Sequence, residues 1–247
     1  MFGLGGLQGK ARNMPRCDRL IYAIGDIHGR HDLLTRLLTK IRKDKGDSEA
    51  EIILLGDYVD RGPYSRGVLE SLSAGAPDAS IRLTCLRGNH EQTLLTFLND
   101  HQIGPEWGKH GGVETLASYG VSLPKRRTNP DDWAPCQAQL RENMPAHHLA
   151  FLESLPVMAD REPYLFVHAG IDPETPLGEQ SSKTMMWIRE PFLSFNGRFE
   201  RFVIHGHSAD KKPTRKRYRL GIDTGAYITN TLTAVRLDKR GARLIQS

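Results

Sequence analysis

The sequence predicts an α/β fold in which two sheets face each other, and three observations support this prediction. In the N-terminal part of the chain, short apolar runs alternate with amphipathic helical stretches, which is the pattern of successive βα units. In the C-terminal part, apolar runs follow one another without long helices, which indicates a β-rich half. The composition, with 38% hydrophobic and 26% charged residues, is typical of a globular protein and excludes a disordered or collagen-like chain.

The first three strands are predicted from apolar runs without polar alternation, because parallel strands are buried on both faces. Each run is followed by a stretch whose apolar residues recur at helical spacing. The predicted strands are Leu20–Ile24, Ile52–Leu55 and Ile81–Leu86, and the predicted helices are His31–Lys45, Ser65–Ala74 and Glu91–Asn99.

The middle of the chain, His101–Pro145, is rich in Gly, Pro, Asn and Trp and has one brief helix candidate at Val113–Ser118. It is too long for an ordinary connection, so we expect an irregular lid or cap over about residues 101–145. A helix at His147–Leu155 follows. Strands are then predicted at Tyr164–Val167 and Phe202–Ile204, and an antiparallel set at Leu220–Asp223, Tyr227–Ile228, Leu232–Leu237 and Ala242–Ile245.

The length of 247 residues fits one large domain, which we place at residues 18–247 after a flexible leader at 1–17. The leader lacks the continuous apolar core of a signal peptide, and no apolar stretch approaches the roughly 18 residues of a membrane helix. The three cysteines, Cys17, Cys85 and Cys136, are odd in number and show no metal-binding spacing. We therefore expect free thiols and a cytoplasmic protein.

The net charge of +5 comes from one short segment, Lys211–Arg219, which contains six basic residues and no acidic one. Once these six charges are removed, the rest of the chain carries −1. Such a run is either a solvated loop or a segment that steers an anionic substrate, and both interpretations stay open.

Five apolar runs end at side chains that can bind a metal ion. Ligand sites in α/β proteins lie beyond the carboxyl ends of the strands, so these side chains can converge. Four of them directly follow a glycine, a coincidence of roughly one in ten thousand when glycine makes up about 10% of the chain, as it does here. The residues are Asp26 with His28, Asp57 with Asp60, Asn89 with His90, His168, and His205 with His207.

Oxygen and imidazole ligands without a thiolate fit Mn, Fe or Zn. Six candidate ligands are too many for one ion that also holds water and substrate, and they suit two ions about 3.5–4 Å apart. Two divalent ions together with Asp26 and Asp57 leave an excess of positive charge, which suits a phosphate dianion.

The same residues carry a family resemblance. The chain resembles the phosphoprotein phosphatases among the calcineurin-like metallophosphoesterases, in their bacterial and phage-like branch. The matching motifs appear in the family's order over about three quarters of the chain. They are GDIHG (Gly25–Gly29), GDYVDRG (Gly56–Gly62), RGNHE (Arg87–Glu91), HAG (His168–Gly170) and GHS (Gly206–Ser208).

The resemblance implies a four-layer αββα sandwich of two facing mixed sheets flanked by helices. It assigns Asp26, His28 and Asp57 to a first metal ion, with Asp57 bridging to a second ion that Asn89, His168 and His207 complete. His207 is preferred to the neighbouring His205, which is instead a packing or supporting residue. The resemblance also makes His90 the general acid, oriented by Asp60, and places Arg61 and Arg189 on the phosphate oxygens, with a surface salt bridge as the alternative for Arg189.

The implied activity is that of a serine/threonine protein phosphatase. It would hydrolyse phosphomonoesters by in-line attack of a hydroxide held by two divalent ions, Mn²⁺ with Fe or Zn as alternatives. The expected partner is a phosphorylated protein or peptide, with no membrane or nucleic acid involved, and the chain is expected to be a monomer. The alternative is a dinucleoside tetraphosphatase or another small-molecule phosphoesterase. A non-catalytic binding module fits less well, because every ligand and the acid are present. A nucleic-acid binder also fits less well, because Tyr218 is the one aromatic residue within the basic run.

Overall fold

Two five-stranded sheets form the centre of the computed structural model, which describes residues 14–247. The strand order is β10-β9-β1-β2-β3 in the first sheet and β4-β5-β6-β8-β7 in the second. The strands are Ile21–Ile24 (β1), Ala50–Leu54 (β2), Ile81–Cys85 (β3), Met158–Arg161 (β4), Tyr164–Val167 (β5), Phe202–His205 (β6), Thr214–Arg215 (β7), Arg219–Gly221 (β8), Thr233–Asp238 (β9) and Gly241–Gln246 (β10).

Both sheets are mixed. In the first, β1, β2 and β3 are parallel, as their apolar runs predict, and the hairpin β9–β10 joins antiparallel to β1. In the second, β5, β6 and β8 are parallel, while β4 and β7 are antiparallel edge strands. The parallel strands end at the same edge of each sheet, so the loops that follow them are brought together.

The neighbouring strands β1 and β2 of the first sheet are buried on both faces. Ile21 and Ala23 pack with residues of the second sheet, whereas Tyr22 and Ile24 pack against helices. Because side chains alternate along a strand, this division places helices, first sheet and second sheet in successive layers. The outer face of the second sheet is covered by a further apolar cluster that includes Met185. The predicted sandwich of two facing mixed sheets flanked by helices is confirmed.

The helices are His31–Lys45 (α1), Ser65–Ser73 (α2), Asn89–Asn99 (α3), Gly104–Trp107 (α4), Val113–Ser118 (α5), Ala134–Asn143 (α6), Ala146–Ser154 (α7), Ser182–Trp187 (α8) and Ala226–Thr229 (α9). The helices predicted in the N-terminal part, the short helix at Val113–Ser118 and the helix near residues 147–155 are confirmed within two residues. No helix of the described residues is long and apolar enough to cross a bilayer.

The segment at residues 101–145, expected to be an irregular lid or cap, is not irregular. Much of this segment is helical, and Trp107 and Trp133 are buried in the core between the helices and the first sheet. Its glycines allow the indole rings to approach the backbone. A Cβ at Gly108 would lie 2.4 Å from the Trp133 ring, and one at Gly112 would lie 2.3 Å from the Trp107 ring. Glycine in this segment serves close packing and does not mark a loop.

Three further expectations need correction. Tyr227–Ile228 lies in the short helix α9 and not in a strand. The strand β8 was expected in an antiparallel set, but it pairs parallel with β6 and antiparallel only with β7. The edge strands β4 and β7 were missed because they are short and polar. The predicted leader lies outside the described residues up to position 13, whereas Met14 and Cys17 are buried against the sheets, so a flexible leader would have to end before them.

Candidate metal centre

The loops that follow β1, β2, β3, β5 and β6 meet at one edge of the sandwich. Together they bring the predicted ligands into a single buried cluster in which each side chain is at most 8% exposed. Two overlapping groups of potential ligand atoms share Asp57: one with His28 and His90, and one with His168 and His207. The clustered residues are Asp26, His28, Asp57, Asp60, Asn89, His90, His168 and His207.

The backbone of these loops is held in an unusual conformation. Of the six non-glycine residues with positive φ in the described part of the chain, five belong to the candidate site. Such a conformation costs about 1–3 kcal/mol per residue and persists only where the surroundings enforce it. These five residues are His28, Asp57, Asp60, Arg61 and His207, with φ between 46° and 70°.

Two glycines explain why ligands so often follow glycine in this sequence. A Cβ on Gly206 would lie 2.0 Å from Asp26 Oδ1, and a Cβ on Gly88 would lie 2.2 Å from Asp57 Oδ1. Any larger residue at these positions would displace a carboxylate of the cluster.

Asp57 lies at the middle of the cluster. Its Oδ2 is 3.5 Å from His28 Nε2, and its Oδ1 is 3.4 Å from His168 Nε2, so its two oxygens face two different sets of ligands. Burial would raise the pKa of this carboxyl, but the neighbouring imidazoles, His168 first, outweigh burial and lower the pKa below its usual range. Asp57 is therefore a carboxylate at neutral pH, placed to bridge two cations.

Hydrogen bonds fix which imidazole nitrogen is free to bind a cation. His28 Nδ1 donates to the Val59 carbonyl at 2.9 Å, and His168 Nδ1 donates to the Leu55 carbonyl at 2.9 Å. Burial lowers the pKa of both rings, that of His28 to about 3, so both are neutral. Their Nε2 atoms consequently point lone pairs into the cluster, in the orientation that metal-ligating histidines adopt.

Lone pairs face one another where the second ion is expected. His168 Nε2 lies 2.8 Å from Asn89 Oδ1, although both atoms are acceptors, and His207 Nδ1 lies 2.9 Å from the same oxygen. The other nitrogen of His207 is buried without a hydrogen-bond partner among the described residues. A cation between these groups would take up the lone pairs of His168 Nε2 and Asn89 Oδ1, which otherwise repel each other.

Carboxylates lie close together where the first ion is expected. Burial, followed by the charges of Asp223 and Asp57, raises the pKa of Asp26 well above its usual value. Burial likewise raises the pKa of Asp223 to about 6. The backbone N–H of His207 donates to both oxygens of Asp26, at 3.2 and 3.0 Å, and ties the two halves of the cluster together. The residues present thus fit two divalent ions with oxygen and nitrogen ligands.

His90 and Asp60 form a hydrogen-bonded pair beside the cluster. His90 Nδ1 lies 2.7 Å from Asp60 Oδ2, and the carboxylate also accepts hydrogen bonds from Trp107 Nε1 at 2.9 Å and Thr115 Oγ1 at 2.6 Å. Burial opposes protonation of His90, but the charges of Asp57 and Asp60 outweigh it and raise its pKa to about 8. A protonated His90 at neutral pH is what a general acid requires.

The two predicted phosphate-binding arginines differ in how the structure holds them. Arg61 is half-buried, with Nη2 3.1 Å from His90 Nε2 and Nη1 donating to the Tyr227 hydroxyl at 3.1 Å. Arg189 is exposed, and its positive charge contributes to the lowered pKa of His168 and His207, after the larger effect of burial. No carboxylate of residues 14–247 lies within 4.0 Å of its guanidinium, so the salt-bridge alternative finds no partner there.

His205, the competing candidate, lies outside the cluster. Its Nε2 accepts a hydrogen bond from Arg219 Nη1 at 3.0 Å, and its ring packs edge-on against Phe192 at 5.0 Å. A separate group of metal-capable side chains, Glu70, His147 and His148, lies in the helical layer, where Glu70 and His147 are exposed.

Sequence reasoning missed two acidic residues of the site. Asp223 follows β8 and ends an apolar run, the same signal that identified Asp26 and Asp57. Glu91 is fully buried, and its carboxylate accepts hydrogen bonds from the backbone of Asp57, Tyr58 and Gly88 at 2.7–2.9 Å. Its position in the first turn of α3 is the available signal, and its effect is to fix the loop that carries Asp57.

Comparison with known proteins gives a family match over most of the chain. The model described as calcineurin-like phosphoesterase matches residues 19–224. A symmetrical bis(5'-nucleosyl)-tetraphosphatase from Methylococcus capsulatus is 28% identical over 91% of this chain and 68% of its own length. A serine/threonine-protein phosphatase 4 catalytic subunit from Candida glabrata is 41% identical, but only over 34% of this chain and 26% of its own.

Among solved structures, one described provisionally as a diadenosine tetraphosphatase superposes on this chain with a TM-score of 0.66. The match covers 95% of this chain and 96% of that chain, at 20% sequence identity. At this identity the likeness shows a shared fold.

Proposed function

This chain belongs to the calcineurin-like phosphoesterase family, and from that premise we propose that it is a metal-dependent dinucleoside tetraphosphatase. The observation that carries the proposal is the extent of the similarity to a bis(5'-nucleosyl)-tetraphosphatase, which includes 91% of this chain. A similarity of that extent includes the loops and the helical layer around the metal centre, and binding residues are concentrated on such loops.

The residues of the centre divide the reaction between them. Asp26, His28 and Asp57 would hold one divalent ion, and Asp57, Asn89, His168 and His207 would hold the other. When bound, two such ions supply a hydroxide near neutral pH and neutralise phosphate charge. We favour Mn²⁺, with Fe and Zn as alternatives, because the donors are oxygens and imidazoles.

The remaining side chains act on the substrate itself. The guanidinium groups of Arg61 and Arg189 would bind the oxygens of the attacked phosphate, since their planar forks match phosphate geometry. His90, whose Nδ1 is held by Asp60, would protonate the departing oxygen from Nε2 once the Arg61 guanidinium, 3.1 Å from Nε2 in this structure, turns to the phosphate. Trp107 and Thr115 keep the Asp60 carboxylate in place for that role.

A phosphorylated protein, the substrate expected from the motifs, is the second candidate. The 41% identity to a protein phosphatase catalytic subunit favours it, but this match includes only about a third of the chain. The metal centre alone serves both substrates, because each reaction is a hydrolysis at phosphorus.

The test is a comparison of kcat/KM for metal-loaded protein on diadenosine tetraphosphate, a phosphoserine peptide and a phosphotyrosine peptide. Asp57→Asn provides the background rate. We expect turnover of the dinucleotide to exceed that of both peptides by at least about tenfold. Faster turnover of either peptide would overturn the proposal in favour of a protein phosphatase.

A further inference from the structure

The basic run Lys211–Arg219 separates into three parts in the structure. Arg215 and Arg219 are structural: the first stacks on the Phe202 ring at 4.5 Å and the second on the Phe192 ring at 5.3 Å. The other four cations are exposed, two before β7 and two after it: Lys211, Lys212, Lys216 and Arg217.

The strand register shows which exposed pair lies near the metal centre. Thr214 at the start of β7 pairs with Gly221 at the end of β8, and β8 ends at the same level as β6, since His205 pairs with Gly221. The metal centre lies just beyond these strand ends. Lys211 and Lys212 therefore lie at the end of the hairpin near the centre, whereas Lys216 and Arg217 form the turn at its far end.

Two backbone contacts hold the loop that carries these lysines close to the ligands. His207 N–H donates to Asp26, and the N–H of Asp210 donates to the carbonyl of Asp223 at 3.2 Å. Lys211 is four residues beyond His207, so their Cα atoms are at most about 14 Å apart. A lysine side chain and a chain of phosphates can together span this separation.

The charge of the two lysines is not neutralised within the described part of the chain. No carboxylate there lies within 4.0 Å of either ammonium group, and the nearest acid in sequence, Asp210, accepts a hydrogen bond from Thr214. The pair is thus an exposed positive surface beside a deep site that is itself built from carboxylates.

We propose that Lys211 and Lys212 bind the phosphates adjacent to the attacked one, and so select substrates with a polyphosphate chain over simple phosphomonoesters. This inference rests on the proposed function. Arg61 and Arg189 would hold the attacked phosphate, while the next phosphates extend out of the cluster toward the two lysines. Lysine suits this task because its compact charge sits on a flexible stem and needs no fixed phosphate geometry.

The experiment compares two double variants with the same change in charge. Lys211→Gln with Lys212→Gln removes the proposed subsite, and Lys216→Gln with Arg217→Gln removes two exposed charges from the far end of the same hairpin. For the first variant we expect KM for diadenosine tetraphosphate to rise about tenfold with kcat little changed, and a weaker salt dependence. For the second, and for p-nitrophenyl phosphate with either variant, KM should stay within about twofold of that of the unmodified protein.

A binding measurement accompanies the kinetics. The inhibition constant of inorganic tripolyphosphate against p-nitrophenyl phosphate hydrolysis should rise with Lys211→Gln/Lys212→Gln, while that of orthophosphate should not. Equal effects of the two double variants, or equal rises for tripolyphosphate and orthophosphate, would overturn the inference. If diadenosine tetraphosphate is not a substrate but the tripolyphosphate effect is present, the proposed function fails and the lysine subsite stands.

Discussion

His90 is the residue whose role is most easily separated from that of its neighbours. Its imidazole bonds to Asp60 and lies 3.9 Å from Asp57, yet the facing lone pairs of the cluster belong to other residues. We therefore propose that His90 is a proton donor and not a metal ligand.

Replacing His90 with Asn should reduce kcat by an amount that depends on the leaving group. A serine alkoxide needs a proton when it leaves, and general acids contribute about 10²–10⁴-fold. A terminal phosphate with a pKa of about 6 needs it much less. We expect a loss of at least about 10²-fold on a phosphoserine peptide, a smaller loss on diadenosine tetraphosphate, and no change in metal content.

Asp57→Asn is the matched variant for this experiment. It removes the carboxylate shared by both ligand groups, so elemental analysis should find less metal per chain. If the two variants lose metal to the same extent, the roles of His90 and Asp57 are assigned wrongly.

For individual residues, the sequence predicts the candidate metal ligands well. It predicts poorly which other residues hold the side chains of the site in position. Asp26, Asp57, Asn89 and His207 each follow a glycine at a strand end, a local signal with a local cause. The support from Trp107 and Thr115 depends on a helical layer that folds back onto Asp60 from about 50 residues away along the chain. A contact between residues so far apart along the chain cannot be predicted from the pattern of one segment.

The segment between α3 and α7 shows how an element can be mispredicted for a physical reason. Its glycines lower helix propensity, and Gly111 adopts a φ of 101°. The buried rings of Trp107 and Trp133 compensate for this loss by packing directly on the glycine backbone. Tertiary packing decides the outcome here, and it also positions the indole N–H that holds Asp60.

Replacing Gly112 with Ala tests the role of this packing. Its Cβ would lie 2.3 Å from the Trp107 ring, so we expect the free energy of unfolding to fall by about 1–3 kcal/mol in urea denaturation. We also expect a lower kcat on phosphoserine peptide, because Trp107 would move relative to Asp60.

Gly178→Ala is the control, since a Cβ there meets no atom within 4 Å. A loss of stability in Gly178→Ala as large as that in Gly112→Ala would show that contact with the Trp107 ring is not its cause, because Ala restricts the unfolded chain and by itself stabilises the fold.

For the whole molecule, the pattern of buried strands in the sequence predicts two sheets. The same pattern does not predict which strands pair within the second sheet. The strands β4 and β7 are short and polar, and they form because they pair with the neighbouring strands β5 and β8. Stability at this scale also depends on histidines that the fold buries without charge.

His205 gives the stability a dependence on pH that can be measured. Burial, followed by the charge of Arg219, lowers its pKa to about 3, against about 6.5 in the unfolded chain. The unfolded state therefore binds the proton first as pH falls, and this histidine's contribution, full above pH 6.5, is lost at about 1.4 kcal/mol per pH unit below it.

We expect the loss of unfolding free energy between pH 7 and pH 5 to be smaller in His205→Asn than in the unmodified protein, by about 2 kcal/mol. Urea denaturation of metal-free protein at the two pH values measures the difference. An identical loss in both proteins would show that the pKa of His205 is not lowered in the folded state.

We expect the strand ends to form one centre for two metal ions that share Asp57. Anomalous X-ray diffraction from crystals grown with Mn²⁺ tests this expectation. It should show two peaks about 3.5–4 Å apart, one on each side of the Asp57 carboxylate. A single peak there, or peaks only at Glu70, His147 and His148, would show that Asp57 does not bridge two ions.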